Sequence, residues 1–403
     1  MTKRTSNYTR YNFILCRTQL SISGLWPFQS KIRRYATYFA LILLLASGFF
    51  VQLMGVIEVR YDSVEVIDSL PMLNMAVVML FKVIYAMYTL SQIKLLLIKM
   101  QEYCLSPKSD EEHQIHNSYT QFGQKIGYLY TYIILGHSVA YNLAPLLTKL
   151  MHKPLEENVT SSNKMIEAQV GVPYRVNYMV DLDTYYVPIF IHMVTYNVYN
   201  VFIVVTFDVF YISLVEHCRG VFAAFRYRLE NACLIENDSN ASTKTSTKDK
   251  SYVNVAYSIR RHAETIQFVG IMNSVYSPPL FIHVGITILT ISAIGYQVMT
   301  NTQNINRTLK NLSYMNAILM NVFFENWQGQ KIIDSSEKIF ESAYNVEWYN
   351  LPIAARKLLV LVMRRSMQPL VLTAGKFMVL SYITFNAVIR TSSSYFMLLR
   401  SVS

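Results

Sequence analysis

Two histidines, His113 and His116, stand at a spacing that could hold a metal ion. Nearby Asp110, Glu111 and Glu112 make the segment strongly polar, and no cysteine accompanies it. A metal centre of two histidines needs further ligands, so this pattern predicts a solvated loop rather than a metal site. Phosphate-loop, nucleophile-elbow, zinc-protease and dinucleotide-binding patterns are absent from the sequence. The chain is therefore not predicted to be an enzyme, and no metal or cofactor is expected.

Other polar residues are more informative because they interrupt apolar sequence. Lys82 lies in the middle of an apolar run, where a charge at membrane depth is a functional hypothesis by default. Its long side chain could also reach water or a neighbouring carbonyl. His137 and Tyr141 are four residues apart and share one face of a helix. Since buried polar groups in a membrane need partners, these two residues and His192 are the best polar candidates for ligand binding.

Long apolar runs would place these residues inside a membrane. Residues 35–57 hold no charged residue over about 23 positions, which is enough for a helix to cross a bilayer core of roughly 30 Å. With 52% hydrophobic and 15% charged residues, the chain is too apolar for an ordinary soluble protein. Comparable runs recur at 70–93, 126–147, 184–207, 265–298, 312–324 and 369–399.

Lysine and arginine are divided unequally between alternate connecting segments. With the N-terminus inside, about 25 fall on the inner side and about eight on the outer side. Positively charged loops stay in the cytoplasm, so the N-terminus is predicted to be cytoplasmic and the C-terminus extracellular. The net charge of +11 is then explained by loops beside anionic lipids, which makes membrane lipids the expected partner rather than nucleic acid.

These patterns predict an all-α membrane protein with seven transmembrane helices and a cytoplasmic helical anchor region. No inverted repeat is visible, which argues against a transporter. The predicted segments are a cytoplasmic N-terminus at 1–34, transmembrane helices at 35–57, 70–93 and 126–147, an extracellular loop at 148–183, a helix at 184–212, a cytoplasmic loop at 213–264, helices at 265–298 and 311–330, a cytoplasmic anchor at 331–368, and the last helix at 369–399.

Three local sequence features add to this predicted topology. Asn158 begins a glycosylation sequon in the long extracellular loop and is the predicted glycosylation site. Residues 236–251 are rich in Ser, Thr and Lys and predict a disordered cytoplasmic insert. Pro278 and Pro279 are predicted to break or kink the fifth helix.

The segment between the sixth and seventh runs contains an apolar stretch, 356–363, that is too short to cross a bilayer. Basic residues flank it on both sides. It is therefore either an amphipathic helix on the membrane surface or a helix packed inside a cytoplasmic assembly.

This C-terminal region contains four motifs in order: Trp348-Tyr349, Arg364 to Leu370, Leu372 to Phe377 and Thr391 to Arg400. In order and spacing they resemble the C-terminal signature of insect odorant receptors, and Gly24 to Pro27 resembles the family's opening segment. Two departures are visible, since Gln368 directly precedes Pro369 and Ser393 stands where many members have Tyr. The second cytoplasmic insert typical of the family's shared co-receptor is absent.

The resemblance implies a ligand-tuned subunit of a heteromeric, ligand-gated, nonselective cation channel. It would form a heterotetramer with the odorant receptor co-receptor in the plasma membrane of olfactory sensory neuron dendrites. In that family the cytoplasmic ends of helices four to seven form the anchor, and the last helix lines the pore with an apolar constriction, which here means Leu398 and Val402. The implied anchor residues are Tyr344, Trp348, Tyr349 and Leu351.

The resemblance also implies a small, volatile, mostly apolar ligand in the outer half of the bundle, between helices two, three, four and six. The alternative function is a seven-helix chemoreceptor coupled to G proteins, which the charge distribution opposes because such receptors have the reverse orientation. The candidate ligand-binding residues are Leu73, Val77, Phe81, Gly136, His137, Tyr141, Ile191, His192, Tyr196, Met315, Ile318 and Val322.

Overall fold

The computed structural model describes residues 14–106, 109–151, 171–182, 184–231, 244–300 and 305–402. Asn158 lies outside these ranges, so its glycosylation stays a prediction. The described residues are almost entirely helical, which confirms the all-α prediction. Ten α-helices are present there: α1 (Ile14–Ile22), α2 (Lys31–Glu58), α3 (Ser63–Tyr88), α4 (Leu90–Leu105), α5 (Asp110–Met151), α6 (Tyr186–Glu230), α7 (Lys244–Thr300), α8 (Ile305–Asn345), α9 (Ile353–Ser366) and α10 (Tyr382–Val402).

Seven of these helices, α2, α3, α5, α6, α7, α8 and α10, carry the seven apolar runs. The 45 residues of α6 give a rod of about 68 Å, more than twice the thickness of a bilayer core. Within the described residues, α2, α3, α6 and α7 are long and apolar enough to span a membrane by composition alone. The long helices therefore extend well beyond the bilayer, where they can build a second packed region.

Helix α6 occupies the centre of the bundle. Nearly every side chain between Ile203 and Phe225 is buried, because α5, α7 and α8 all pack against this helix. A helix that is apolar on every face is expected in such a position. Its sequence consequently carries no amphipathic pattern that would reveal which face meets which neighbour.

Two helix boundaries differ from the predicted transmembrane segments. The second run, 70–93, is divided at Thr89, where α3 ends and α4 begins. The seventh run becomes helical only at Tyr382; before it, Thr373–Ala374 pairs with Met378–Val379 in an antiparallel hairpin. Gly375 and Lys376 form the turn with φ values of 63° and 67°, a conformation that a helix does not allow. Helix α10 thus has 21 residues and a length of about 32 Å, which matches a bilayer core.

Helix α7 continues through Pro278 and Pro279, where the sequence predicted a break or a kink. Proline at position 278 cannot donate to the carbonyl of Ser274, four residues earlier. The hydroxyl of Tyr85 on α3 donates to that carbonyl at 3.0 Å, so a neighbouring helix replaces the missing hydrogen bond. The prediction of a disordered insert at 236–251 is wrong for residues 244–251, which form the first turns of α7.

The anchor region follows directly from α8. After Asn345 the chain makes a 3₁₀ turn at Trp348–Asn350 and enters α9, which packs against both α7 and α8. The hairpin then connects α9 to α10. Its backbone is held by α7, since Gly375 N–H donates to Ser277 O at 3.0 Å and Asn273 Oδ1 accepts from Thr373 N–H at 2.8 Å.

Gly329 of α8 gives a direct test of this arrangement. A Cβ atom at this position would lie 2.4 Å from both Cβ and the carbonyl oxygen of Leu380, in the link between hairpin and α10. We expect Gly329→Ala to lower stability by about 1–3 kcal/mol, because the link must move away from α8. The measurement is the thermal unfolding midpoint of detergent-solubilised protein. Gly270→Ala is the matched control, since a Cβ there meets nothing within 4 Å; equal midpoints for the two variants would contradict the packing described.

Candidate ligand cavity and buried ion network

A cavity lies among α3, α5, α6, α7 and α8. It offers ≈ 100 Å³ to the centres of water-sized molecules, and its wall is mainly apolar. Closed, largely apolar cavities with a few polar groups are typical binding sites for small molecules. The lining residues are Pro71, Met72, Met75, Val78, Tyr130, Ile134, His137, Ser138, Tyr141, Asn197, Val201, Val204, His283, Ile286, Thr287, Thr290, Tyr314, Ala317, Ile318 and Asn321.

Three of the candidate ligand-binding residues, His137, Tyr141 and Ile318, line this cavity. His137 and Tyr141 lie on α5, and Ile318 lies on α8. Helix α7, which contributes four lining residues, was absent from the sequence-based candidates.

The other nine candidates lie outside the cavity wall. On α3 and α6 the lining positions are displaced around the helix from those predicted, because neither helix has a polar face to set its orientation. Val77, Gly136 and Ile191 are exposed, Leu73, Phe81 and Met315 are half-buried, His192 bonds Ser47 Oγ and Tyr178 Oη, Tyr196 packs on Gly48, and Val322 packs with Val284 and Val388.

Ser138 is the polar lining residue with the clearest capacity to bind a ligand. It is buried, and its Oγ has no hydrogen-bond partner within the described part of the chain. Neighbouring polar groups are already engaged: His137 Nε2 bonds Ser313 Oγ at 2.8 Å, and Thr290 Oγ1 accepts from Asn74 at 3.1 Å. A buried hydroxyl without a partner loses free energy that a ligand oxygen can restore.

A hydrogen-bonded carboxylate lies directly behind two residues of the cavity wall. Asn321 donates its Nδ2 to Asp208 Oδ2 at 2.7 Å and to Tyr130 Oη at 2.8 Å, while the Tyr130 hydroxyl also donates to Asp208. All three residues are buried, and they join α5, α6 and α8. Tyr130 and Asn321 face the cavity, whereas Asp208 lies behind them.

An ion pair adjoins this carboxylate and explains the intramembrane lysine. Lys82 Nζ lies 3.5 Å from Glu325 Oε1, and His283 Nδ1 lies 2.9 Å from Glu325 Oε2. All three residues are buried, and His283 also lines the cavity. The signal in the sequence was the presence of Asp208 and Glu325 within the predicted helices 184–212 and 311–330, since acids and a lysine at membrane depth must pair.

The two histidines at metal-ligand spacing belong to a different cluster. His113 and His116 lie on α5, so the predicted solvated loop is wrong. His116 is buried, and its Nε2 lies 3.1 Å from Nδ1 of His217 on α6, with the Tyr103 ring against both. Within the described residues, no group of three or more potential ligands is assembled there or elsewhere. The pair therefore contributes to packing between α5 and α6.

A family model described as 7tm Odorant receptor matches residues 62–393. The match includes every helix that lines the cavity. The chain belongs to this family. Two solved structures of the olfactory receptor OR5 from Machilis hrabei, one in complex with eugenol, resemble this odorant receptor over 100% of both chains. Their TM-scores are 0.75 without eugenol and 0.72 with it, at 14% sequence identity. The predicted seven-helix membrane fold is thereby confirmed, and the chain is a multi-pass membrane protein.

Curated relatives match over shorter stretches. The putative odorant receptor 85d of Drosophila melanogaster is 26% identical over 141 residues, which is 35% of this chain and 34% of that protein. The odorant receptor coreceptor of Anopheles gambiae is 24% identical over 168 residues, 41% of this chain and 35% of that protein. The odorant receptor thus aligns with about a third of the length of these relatives, which include both odorant receptors and co-receptors.

The implied anchor residues of this odorant receptor differ in their exposure. Leu351 is buried at 2% exposure, whereas Trp348 is 50% exposed and Tyr344 and Tyr349 more so. The outer face of α9 adds further exposed apolar side chains, including Val360 and Leu361. On the inner side, burial and the nearby Arg365 lower the pKa of His262 to about 4, so this histidine is neutral where it packs.

Helix α10 has one buried face and one exposed face. Val388 and Ser392 are buried, and Ser292 of α7 donates its hydroxyl to the carbonyl of Ser392 at 2.9 Å. Leu398 is 57% exposed, and Val402 is the last residue of the helix. In a single chain, α10 therefore leaves most of its apolar surface uncovered.

The interaction between Lys82 and Glu325 can be tested with a double-mutant cycle. We expect Lys82→Met to destabilise the receptor strongly, by about 3–5 kcal/mol, because it leaves Glu325 as a buried charge with one fewer partner. The double variant Lys82→Met/Glu325→Gln should be more stable than the sum of the single effects predicts, with a coupling of about 0.5–3 kcal/mol. Thermal unfolding of the four proteins in detergent measures the cycle. Strictly additive effects would show that the two side chains do not interact.

Proposed function

We propose that this chain is the odorant-binding, ligand-tuned subunit of a ligand-gated, nonselective cation channel. It forms a heterotetramer with the odorant receptor co-receptor in the plasma membrane of olfactory sensory neuron dendrites, and it is not an enzyme. The observation that carries the proposal is the apolar cavity among five helices in a chain of the odorant receptor family. The olfactory receptor OR5 from Machilis hrabei, a structural neighbour with the same fold, is described in complex with eugenol.

The cavity chemistry favours a small, volatile and mostly apolar ligand. Two methionines, Met72 and Met75, are among the lining residues, and methionine adapts its shape to different ligands. Ser138 supplies a hydroxyl that can orient one polar group of the ligand. Selectivity then depends on cavity shape and on this single hydrogen bond.

The pore function belongs to α10. Leu398 and Val402 are four residues apart, so their backbone positions lie on the same side of the helix. The exposed Leu398 side chain is available to a shared pore axis, where an apolar ring excludes water and therefore ions. Movement of the helix away from this axis would wet the pore.

The anchor function belongs to the segment from Tyr344 to α9. Exposed apolar side chains at Trp348, Tyr349, Val360 and Leu361 form a surface that a neighbouring subunit can cover. Leu351 instead holds the segment to its own chain. A cytoplasmic N-terminus and an extracellular C-terminus place this surface on the cytoplasmic side; tags at the two ends, probed on intact cells, separate this topology from that of a G-protein-coupled chemoreceptor.

Filling the cavity tests ligand binding. The receptor is co-expressed with the co-receptor, and cation currents are recorded against a panel of volatiles. We expect Ala317→Trp to abolish responses, because its indole occupies the space of the ligand. Ile191→Trp is the matched control, since Ile191 is exposed on the outside of α6. An unchanged ligand response of Ala317→Trp at normal surface expression would exclude this cavity as the binding site.

Polar substitution tests the constriction. We expect Leu398→Ser to raise the ligand-free current severalfold or to change ion permeability, because a hydroxyl wets the narrow part of the pore. Phe377→Ser, at an exposed apolar position in the hairpin, is the control. Leu398 has no role in the gate if basal current and permeability both remain those of the unsubstituted channel at normal surface expression.

A further inference from the structure

A second, smaller cavity adjoins the ligand cavity at the end of the bundle where α3 and α8 begin. This outer chamber is lined by residues of α2, α3, α5 and α8 and of the segment before α6, and it offers ≈ 40 Å³ to the centres of water-sized molecules. Pro71, Met72, Tyr141 and Tyr314 line both cavities. The two spaces therefore lie side by side, and an elongated ligand that displaces these shared side chains would reach from one into the other.

The outer chamber differs from the inner cavity in its polarity. Its polar lining residues include Gln52, Asp68, Arg175, Lys310 and Asn311. Two of them contain buried atoms without a hydrogen-bond partner among the described residues, namely Gln52 Oε1 and Asn311 Nδ2. Polar groups that are buried without partners carry a free-energy cost that a suitable ligand removes.

The charges around this chamber do not balance within the described part of the chain. Arg175 and Arg307 both pair with Glu65, at 2.7 Å and 3.1 Å, and Arg307 also pairs with Asp68 at 2.6 Å. The two carboxylates are thus each bonded to arginine. Lys310 is a third cation, and the described residues offer it neither a hydrogen bond nor an ion pair; its Nζ lies 5.8 Å from the centre of the Tyr141 ring.

We propose that the outer chamber binds the carboxylate of an amphipathic ligand whose hydrocarbon part occupies the inner cavity. The Lys310 ammonium neutralises the carboxylate, and Asn311 Nδ2 donates a hydrogen bond to it. The Gln52 amide can rotate to present its own Nε2 donor. This inference rests on the proposed function and narrows it: the receptor is tuned to carboxylic acids of intermediate chain length rather than to wholly apolar volatiles.

The chemistry of the site favours an anion over a neutral acceptor. An ester or ketone oxygen could accept from Asn311, but it would leave the ammonium of Lys310 with only the more distant charge of Asp68 and without a direct ion pair. Hydrogen bonds to charged partners are stronger than those between neutral groups. The contribution of Lys310 should therefore appear only with ligands that carry a carboxylate.

The test compares straight-chain carboxylic acids with their methyl esters at neutral pH. Cation currents are recorded from the receptor assembled with the co-receptor. For the unsubstituted receptor we expect half-maximal activation by the best acid at a concentration at least about tenfold below that of its ester. In Lys310→Met the acid should lose about tenfold or more in potency, whereas the ester should change by less than about twofold. Lys310→Arg should retain the preference for the acid.

Arg60→Met is the control for long-range attraction of anions, because Arg60 is exposed at the same end of the bundle and does not line the chamber. Equal potency of acid and ester in the unsubstituted receptor would overturn the inference. The same conclusion would follow if Lys310→Met weakened both ligands equally, or if Arg60→Met reproduced its effect. Activation by esters without a preference for acids would leave the proposed receptor function intact, whereas silence toward every volatile tested would overturn both.

Discussion

The pairing of ionisable groups at membrane depth is the constraint on which the rest of this structure depends. Lys82, Asp208, His283 and Glu325 come from four different helices, and Tyr130 adds a fifth. An unpaired member of this set would have to reach water or lose its charge. Their common need for partners therefore fixes the rotation of α3, α5, α6, α7 and α8, which apolar packing alone would leave less well defined. The same five helices enclose the ligand cavity.

The cavity exists between two polar layers. On one side of the cavity, the network around Asp208 and Glu325 joins the helices. Toward the other end of the bundle, Glu65 forms ion pairs with Arg307 of α8 and with Arg175 in the segment before α6. Both layers hold the helices at fixed positions without filling the space between them. An apolar bundle without such ties would close on itself, since voids forfeit contacts between the atoms of their lining. The apolar character of the cavity and the polarity of its ends are thus parts of one arrangement.

Sequence patterns predicted the positions of the helices better than the side of each helix that faces the cavity. Apolar runs and the division of Lys and Arg identified the seven helices, and C-terminal motifs identified the family. They could not show which face of α6 meets the cavity, and so the candidates Ile191 and His192 lie away from it while Asn197 lines it. The hairpin before α10 was missed because its residues are as apolar as the helix that follows. His137 and Tyr141 both line the cavity, because two polar groups at helical spacing in a membrane define one face; their role in ligand binding stays a prediction.

Helix α7 lines the cavity with one face and packs against α10, the proposed pore helix, with another. On one face His283, Ile286, Thr287 and Thr290 line the cavity. On another, Val284 packs with Val388 of α10, and Phe396 of α10 lies against Gly295, where a Cβ would approach its ring to 3.3 Å. Hydrogen bonds from the hairpin attach the start of α10 to α7, whereas Leu398 near the far end of the helix is exposed. A ligand that binds more tightly to one position of α7 than to another shifts the populations of both, as its difference in affinity requires. Because α10 packs mainly on α7, that shift would reach the proposed constriction through direct contact and requires no longer chain of residues.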